Sequence, residues 1–437
     1  MNLTVPLLAA VLLANGTAAS AQSPARAALP LGAPVAVDVA PLGTAFARLG
    51  LSAAETSAVA ASPDVTIARS EVDRNRAALA QVRATLGPAG FANYAANPQQ
   101  AASGIGTATQ TLTTVGLQAT IGDVLAYSPL VAQAAAALRA SEFDERTAER
   151  TERAKVVTLY YAALKARAIF GARERALDAA KSTRDAAQKR FSAGDVPRLD
   201  VVRTDVAIAR ATADLAATRA ADANATEALR IESATRVDLT PTRVEAIADD
   251  DTSVDPQVAV QRALLTRSDV RSARDAVAAE QAQLRATQRG AFPPLTLQGG
   301  YARGIDSGTI VAGPSLVANL TIPLGGAAAA RVAQERQRLV QAEAKLTSAE
   351  RALTIDVGSA TRNTLAAHEA RLAATQARSQ AATEFFATVL GYRNGASSSF
   401  ELTAARATFA QAQVDELSAI YDEAAARAMF HLATEAS

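Results

Sequence analysis

The side chains able to do acid–base or ligand chemistry are few. Histidine occurs twice, at His368 and His431, and cysteine is absent. That removes disulfides, thiolate catalysis, iron–sulfur clusters and cysteine-type zinc sites. The two histidines are far apart in sequence and are expected on solvated helix surfaces. No Walker A sequence is present, and Gly104-Ile105-Gly106 lacks the rest of a dinucleotide fingerprint. No catalytic, cofactor-binding or metal-ligating residue is assigned, and an enzyme is disfavoured. What stands out is a pair of related turns. Phe191-Ser192-Ala193-Gly194 precedes Leu199-Asp200-Val201, and Tyr392-Arg393-Asn394-Gly395 precedes Phe400-Glu401-Leu402. Glycine permits a tight left-handed turn at Gly194 and Gly395. Asp200 and Glu401 then fall in a first helical turn, where a carboxylate favours the dipole. Tyr392 is a candidate for apolar packing at such a tip.

Long helices must carry those turns. No proline lies between Pro129 and Pro197, between Pro197 and Pro241, between Pro256 and Pro293, or after Pro323. Proline breaks helix interiors, so these gaps are permitted helices. They are filled with Ala, Arg, Glu, Gln and Leu, all strong helix formers. Residues 130–192 and 324–390 would each run roughly 100 Å at ~1.5 Å per residue. Val332, Leu339, Leu346 and Leu353 repeat every seven residues, and Leu365 and Leu372 resume the stripe after a phase shift. A sevenfold stripe predicts supercoiled packing on a partner helix.

The chain also repeats itself. The two turns are offset by 201 positions, as are Thr120-Ile121 and Thr321-Ile322. Asp64-Val65 and Ala68-Arg69 match Asp269-Val270 and Ala273-Arg274 at an offset of 205. That period is far too long for a solenoid unit and indicates an ancestral duplication. The expected organisation is a first repeat over 55–236, an inter-repeat segment over 237–260 and a second repeat over 261–437.

Each repeat holds one β-hairpin between helices. In the second, over about 294–322, Leu295, Leu297 and Tyr301 alternate with polar or small residues. A Gly-rich turn spans Gly304–Gly313, and Leu316, Leu320 and Ile322 mark the return strand. In the first, over about 90–122, Gly90–Ala96 is a weak strand and 97–108 a loop. Gln110–Ile121 returns, with Val115, Leu117, Ala119 and Ile121 on one face. Strands of nine to eleven residues suit a tilted crossing of a bilayer. Four strands cannot close a barrel, for which ~8 are the usual minimum. Open edges are excluded from lipid, so several copies would have to share one barrel.

Composition agrees. Aromatic residues make up 4% and Trp is absent, too little for several compact cores. With 44 basic and 43 acidic side chains, the net charge of +1 excludes a basic nucleic-acid surface. Val5–Ala14 is apolar and Ala19-Ser20-Ala21 follows, so 1–21 reads as a signal peptide cut after Ala21. No cysteine follows the cut, so no lipid anchor is expected there. Residues 22–54 read as an N-terminal extended segment.

These motifs, in this order, resemble the TolC-like outer-membrane efflux protein family. Arg267-Ser268-Asp269-Val270-Arg271-Ser272-Ala273 is similar to its "RPDL/V-x-x-A" helix start. Phe292-Pro293-Pro294-Leu295-Thr296-Leu297 is similar to its strand start, and Ile322-Pro323-Leu324-Gly325-Gly326 to its strand exit without the Phe. Tyr392-x-x-Gly395 with Phe400-Glu401-Leu402 is similar to its helix-tip pattern, with Glu401 in place of Asp. The resemblance spans about 55–433. It implies a mainly α fold with a small β part, in duplicated helix–hairpin–helix halves. The helices would form a long antiparallel coiled-coil α-barrel in the periplasm. The hairpins would form a shared transmembrane β-barrel, twelve strands in a homotrimer. The segment 237–260 would join an equatorial belt.

The implied activity is passive conduction across the outer membrane. An inner-membrane transporter and a periplasmic adaptor would supply energy, in efflux or type I secretion. Leu295, Leu297, Tyr301, Leu316, Leu320 and Ile322 would face outer-membrane lipid. The tips at 191–202 and 391–402 would form the periplasmic gate. Tyr392 would help hold it closed, and Asp200 and Glu401 would form carboxylate rings that favour cations. Ser397 stands where the family has a tip arginine. The alternative is a periplasmic or surface coiled-coil structural protein, with the hairpins as caps and no channel.

Overall fold

A computed structural model describes residues 50–85, 89–100, 107–235, 239, 255–291, 295–306, 309–322 and 326–434. The expected signal peptide, nearly all of 22–54, most of 237–260 and Phe292–Pro294 lie outside the described residues. Helices α1 (Leu51–Ala61) and α2 (Pro63–Ala84) lead into strands β1 (Ala89–Gln100) and β2 (Thr107–Thr120). Helices α3 (Ile121–Ser192) and α4 (Arg198–Ser233) complete the first half. The second half repeats the order with α5 (Pro256–Thr266), α6 (Ser268–Gly290), β3 (Leu295–Asp306), β4 (Thr309–Leu320), α7 (Ala327–Arg393) and α8 (Ser399–Thr434).

The long helices α3 and α7, 72 and 67 residues, each need a partner along their whole length. Two shorter helices in series supply it. The seam of α4 is Val201, Thr204, Ile208, Ala211, Leu215, Thr218, Asp222, Ala225 and Leu229, a strict heptad pattern. The equivalent positions of α8, 201 residues on, are again buried or half-buried. Where α1 lies on α3, Ala54, Ala58 and Val156 are fully buried. Where α5 lies on α7, Ala259, Ala263 and Val357 occupy the equivalent places.

At the joint between α8 and α6, Arg267 is 1% exposed. Its guanidinium bonds Asp269, reaches the Ala433 carbonyl at 3.4 Å and lies 3.8 Å from Asp356. One side chain thus joins the start of α6, the end of α8 and the flank of α7. Burial pushes the Asp269 carboxyl up, but the bond and charge from Arg267, the charge of Arg150 and the Val270 amide hold it below its ordinary value. At the equivalent joint of the first half, Ser62 donates to buried Glu152 at 3.1 Å. Lys155 lies 3.1 Å from Glu152, 3.5 Å from Asp64 and 3.8 Å from Glu232.

The four strands form one antiparallel sheet in the order β1-β2-β3-β4, so the two hairpins pair through β2 and β3. Val115 opposes Tyr301, and Tyr301 opposes Pro314. One face carries Leu117, Val115, Leu297, Tyr301, Leu316 and Leu320, all exposed. The other, more polar face carries Thr114, Gln118, Thr296, Gln298 and Asn319 beside Leu112, Val311 and Val317, with Gln298 donating to Gln118 at 3.3 Å. Gly116 opposes Gly300, and a Cβ on either would lie within 2.4 Å of a carbonyl on the facing strand. The backbones therefore meet at a contact only glycine fits.

Several sequence expectations are corrected. β1 runs on to Gln100 and β2 starts at Thr107, which shortens the expected 97–108 loop. Gly304 and Gly313 belong to β3 and β4 rather than to a turn. Their Gly, Asn and Gln residues hide the alternation that marks a strand. Ile121 begins α3, and Ile322 lies beyond the end of β4. Pro129 sits inside α3, where it costs one backbone bond near the helix start. Leu51–Ala54 are helical rather than extended, and α5 starts inside the expected inter-repeat segment. Leu365 and Leu372 are exposed, because the packed face of α7 continues instead through Val357, Thr361 and Thr364. The change of offset from 205 to 201 matches the number of residues between paired strands, six between β1 and β2 against two between β3 and β4.

A branched side chain at the glycine contact should separate the hairpins. Gly116→Val is expected to leave the helical circular-dichroism signal intact and to expose the strands to cleavage by added protease. Wild-type protease resistance of the strands in Gly116→Val would refute the account of this contact.

Candidate functional site: the paired helix tips

Each tip ends its long helix in the same way. Gly194 and Gly395 take φ of 79° and 78°. The Asp195 amide donates to the Arg190 carbonyl at 2.9 Å, and the Ala396 amide to the Gly391 carbonyl at 2.8 Å. These six-to-one bonds with a left-handed glycine are Schellman ends, which satisfy otherwise orphaned carbonyls. Ser397 folds back over Gly391, where a Cβ would lie 2.4 Å from its hydroxyl.

The helices that leave the tips start differently. At α8, the Ser398 amide donates to Glu401 Oε2 at 2.9 Å, and the Glu401 amide donates to Ser398 Oγ at 3.2 Å. This is a capping box, which fixes the Glu401 carboxylate in place while leaving it exposed. At α4 the preceding residue is Pro197, and Asp200 is turned inward and buried. Asp200 accepts the Ser399 hydroxyl at 2.5 Å and lies 3.4 Å from Arg203. The two carboxylates are equivalent in sequence but differ in place: one is a cross-repeat acceptor, the other a capped surface charge.

Three contacts stitch the tips together. Asp200 takes the Ser399 bond. The Arg190 guanidinium lies 4.6 Å from the Tyr392 ring centre, and that of Arg203 lies 5.9 Å from the Phe400 ring. A little above them, half-buried Arg406 donates to the Ala179 carbonyl of α3 at 2.6 Å, and Phe385 stacks on Phe409. Sequence reasoning selected Asp200, Tyr392, Glu401 and both glycines. It missed Arg190, Ser399, Arg203 and Arg406. Arg190 was findable as a cation one residue before the aromatic tip position of the first repeat.

Along the helices, half-buried Asp222 and buried Glu423 hold equivalent seam positions. Arg167 of α3 meets Asp222 at 2.8 Å, and its equivalent His368 of α7 meets Glu423 through Nδ1 at 2.8 Å. Arg371 and Arg427 also bond Glu423. His368 therefore bonds a buried carboxylate of the neighbouring helix rather than standing on a solvated surface. Burial pushes the Glu423 carboxyl up, but bonds from His368 and Arg427 and the charge of Arg371 leave it below its ordinary value. Among the described residues no group of ligating side chains could hold a metal ion, and no helix is long and apolar enough to cross a membrane.

Long antiparallel helices continued by paired hairpins define the class of α-barrel and β-barrel outer-membrane channels. The model of the outer membrane efflux protein family matches residues 56–231 and 259–433, and the chain belongs to that family. The fold is similar to a crystal structure of a membrane protein from Pseudomonas aeruginosa, at 16% identity and a TM-score of 0.76 over 89% of this chain and 90% of that one. It is similar to CusC, at 16% identity and a TM-score of 0.75 over 89% and 92%. It is also similar to the open state of the Neisseria gonorrhoeae MtrE outer membrane channel, at 20% identity and a TM-score of 0.69 over 88% of each chain. No curated protein matches the chain in sequence. The protein is an outer-membrane efflux channel, not an enzyme.

The Glu423 centre makes a pH prediction. Its depressed carboxyl contributes stability above the ordinary carboxylate pKa of ~4.3, and that contribution is lost as pH falls through the lower folded value. Thermal unfolding followed from pH 7 to pH 3 should show the midpoint falling mainly below ~4.3. Glu423→Gln should already unfold earlier at pH 7 by about 1–3 kcal/mol, because it removes the carboxylate that bonds His368, Arg371 and Arg427, and its acid-dependent loss should be smaller. An unchanged midpoint would remove this centre from the stability account.

Proposed function

We propose that three copies form the duct, which conducts cargo passively between a periplasmic adaptor and the outside. The observation that carries this reading is the sheet. Its outer strands β1 and β4 have unpaired edges, and open edges are not tolerated in lipid. Three copies give twelve strands, an even and closable number. Leu295, Leu297, Tyr301, Leu316, Leu320 and, just past the strand, Ile322 then contact outer-membrane lipid. The polar face lines the lumen.

In this reading the signal at 1–21 is removed during export and the mature chain carries no lipid anchor. Energy comes from an inner-membrane transporter. The adaptor docks at the tips, where Leu199, Val202, Phe386, Leu390 and Phe400 are exposed. The tips form the gate. Tyr392 and Asp200 hold it closed through Arg190 and Ser399. Glu401, exposed and fixed by its capping box, supplies the carboxylate ring that selects cations.

Single-channel recording of the purified, detergent-extracted protein in planar bilayers tests this. Discrete, long-lived openings are expected. Glu401→Gln should shift the reversal potential under a salt gradient toward zero cation preference. Absence of insertion at every concentration, with the protein in the soluble fraction, would reject the duct; an unchanged reversal potential would reject the role of Glu401.

A further inference from the structure

The four strands hold only two charged side chains, Arg303 and Asp306. Arg303 shares the apolar face with Leu297, Tyr301 and Ile305, and it is exposed. It is the one cation on that face. The register sets Tyr94, Thr113, Arg303 and Ala312 in a single row across the sheet. Tyr94 is 69% exposed. Strands lie ~4.8 Å apart, so Tyr94 and Arg303 stand about 10 Å apart with the Thr113 hydroxyl between them. The row therefore presents a phenol, a hydroxyl and a guanidinium outward at one height.

That height is informative. Leu295 adjoins the helical end of the barrel, and Asp306, the last residue of β3, lies at the far end. Eight residues of tilted strand place Arg303 about 20 Å above Leu295, within an apolar band ~25 Å tall. An arginine facing lipid at the midplane is costly, whereas near the rim it is nearly neutral. The side chain can carry its charge the remaining few ångströms to the headgroups. Guanidinium binds phosphate through paired hydrogen bonds, with hydroxyl donors completing the shell.

We propose that Tyr94, Thr113 and Arg303 form a site for a phosphate on the headgroup of an outer-leaflet glycolipid of the lipid A type. This rests on the duct reading above, in which that face meets lipid. Three such sites would ring the barrel at one depth. They would fix the height of the barrel in the membrane where it has few aromatic residues to do so.

The test mixes the full-length channel into phosphatidylethanolamine vesicles containing bisphosphorylated lipid A, re-extracts it and counts lipid retained per protein by mass spectrometry. Dephosphorylated lipid A and phosphatidylglycerol are the parallel arms, and conductance is recorded on every sample. Wild type should retain phosphorylated lipid A about tenfold better than Arg303→Gln, the scale of one lost charge-assisted contact. Arg303→Lys should recover part of it. Tyr94→Phe should lose a smaller share, and all variants should conduct normally. Equal retention by wild type and Arg303→Gln, with normal conductance, would overturn the site alone. Equal retention of dephosphorylated lipid A, or equal displacement by phosphatidylglycerol, would overturn its assignment to this lipid. Absence of conductance in every sample, wild type included, would overturn the duct reading and the site with it.

Discussion

A helix of about seventy residues cannot stand alone in water, and this constraint organises the molecule. Isolated helices gain little from propensity and rely on packing of one face. Both α3 and α7 solve the problem with two shorter helices in series. That solution creates a joint, with helix ends facing each other and backbone groups left without partners. Arg267 closes one joint by holding the Ala433 carbonyl, Asp269 and the flank of α7 together. Ser62, Glu152 and Lys155 close the other by different chemistry. A buried arginine is tolerable there because its charge is met by Asp269, whose carboxyl stays ionised.

Duplication explains why the solutions are parallel and divergence explains why they are not identical. Alanines 54 and 58 recur as 259 and 263, because close helix approach allows little else. The carboxylate of the seam recurs as Asp222 and Glu423. Its partner does not: Arg167 in one half becomes His368 with added arginines in the other. A polar group at a seam position fixes register against sliding by a heptad. Both halves keep that device, and the second surrounds its carboxylate with three partners, His368, Arg371 and Arg427.

Much of this was legible in the residues. Proline gaps outlined the long helices, and the repeat located both turns through Gly194 and Gly395. The helix that tolerates Pro129 was not legible, since a proline near an end removes only one bond. The strands were half legible. Leu316 and Leu320 alternate clearly, but β1 is built from Ala, Asn, Gly and Gln, and one of its faces is polar. The seam of α7 was misread beyond Val357, because the packed residues there are Thr361, Thr364 and His368, while Leu365 and Leu372 point away. Leucines without a partner in one chain are what an interface between copies would require.

The tips show the limit of motif matching most clearly. Asp200 and Glu401 align, yet their first-turn environments send them opposite ways. Pro197 cannot offer a capping hydroxyl or an amide, so Asp200 has no box to join and turns to Ser399 of the other repeat. Ser398 offers both, so Glu401 is retained at its own helix start. One residue before each helix therefore decides whether its carboxylate joins the two tips or stays at the surface. In the proposed duct, a closed gate would use the first kind of carboxylate and a charged pore mouth the second. The duplicated chain supplies one of each, through the difference between proline and serine at equivalent N-caps.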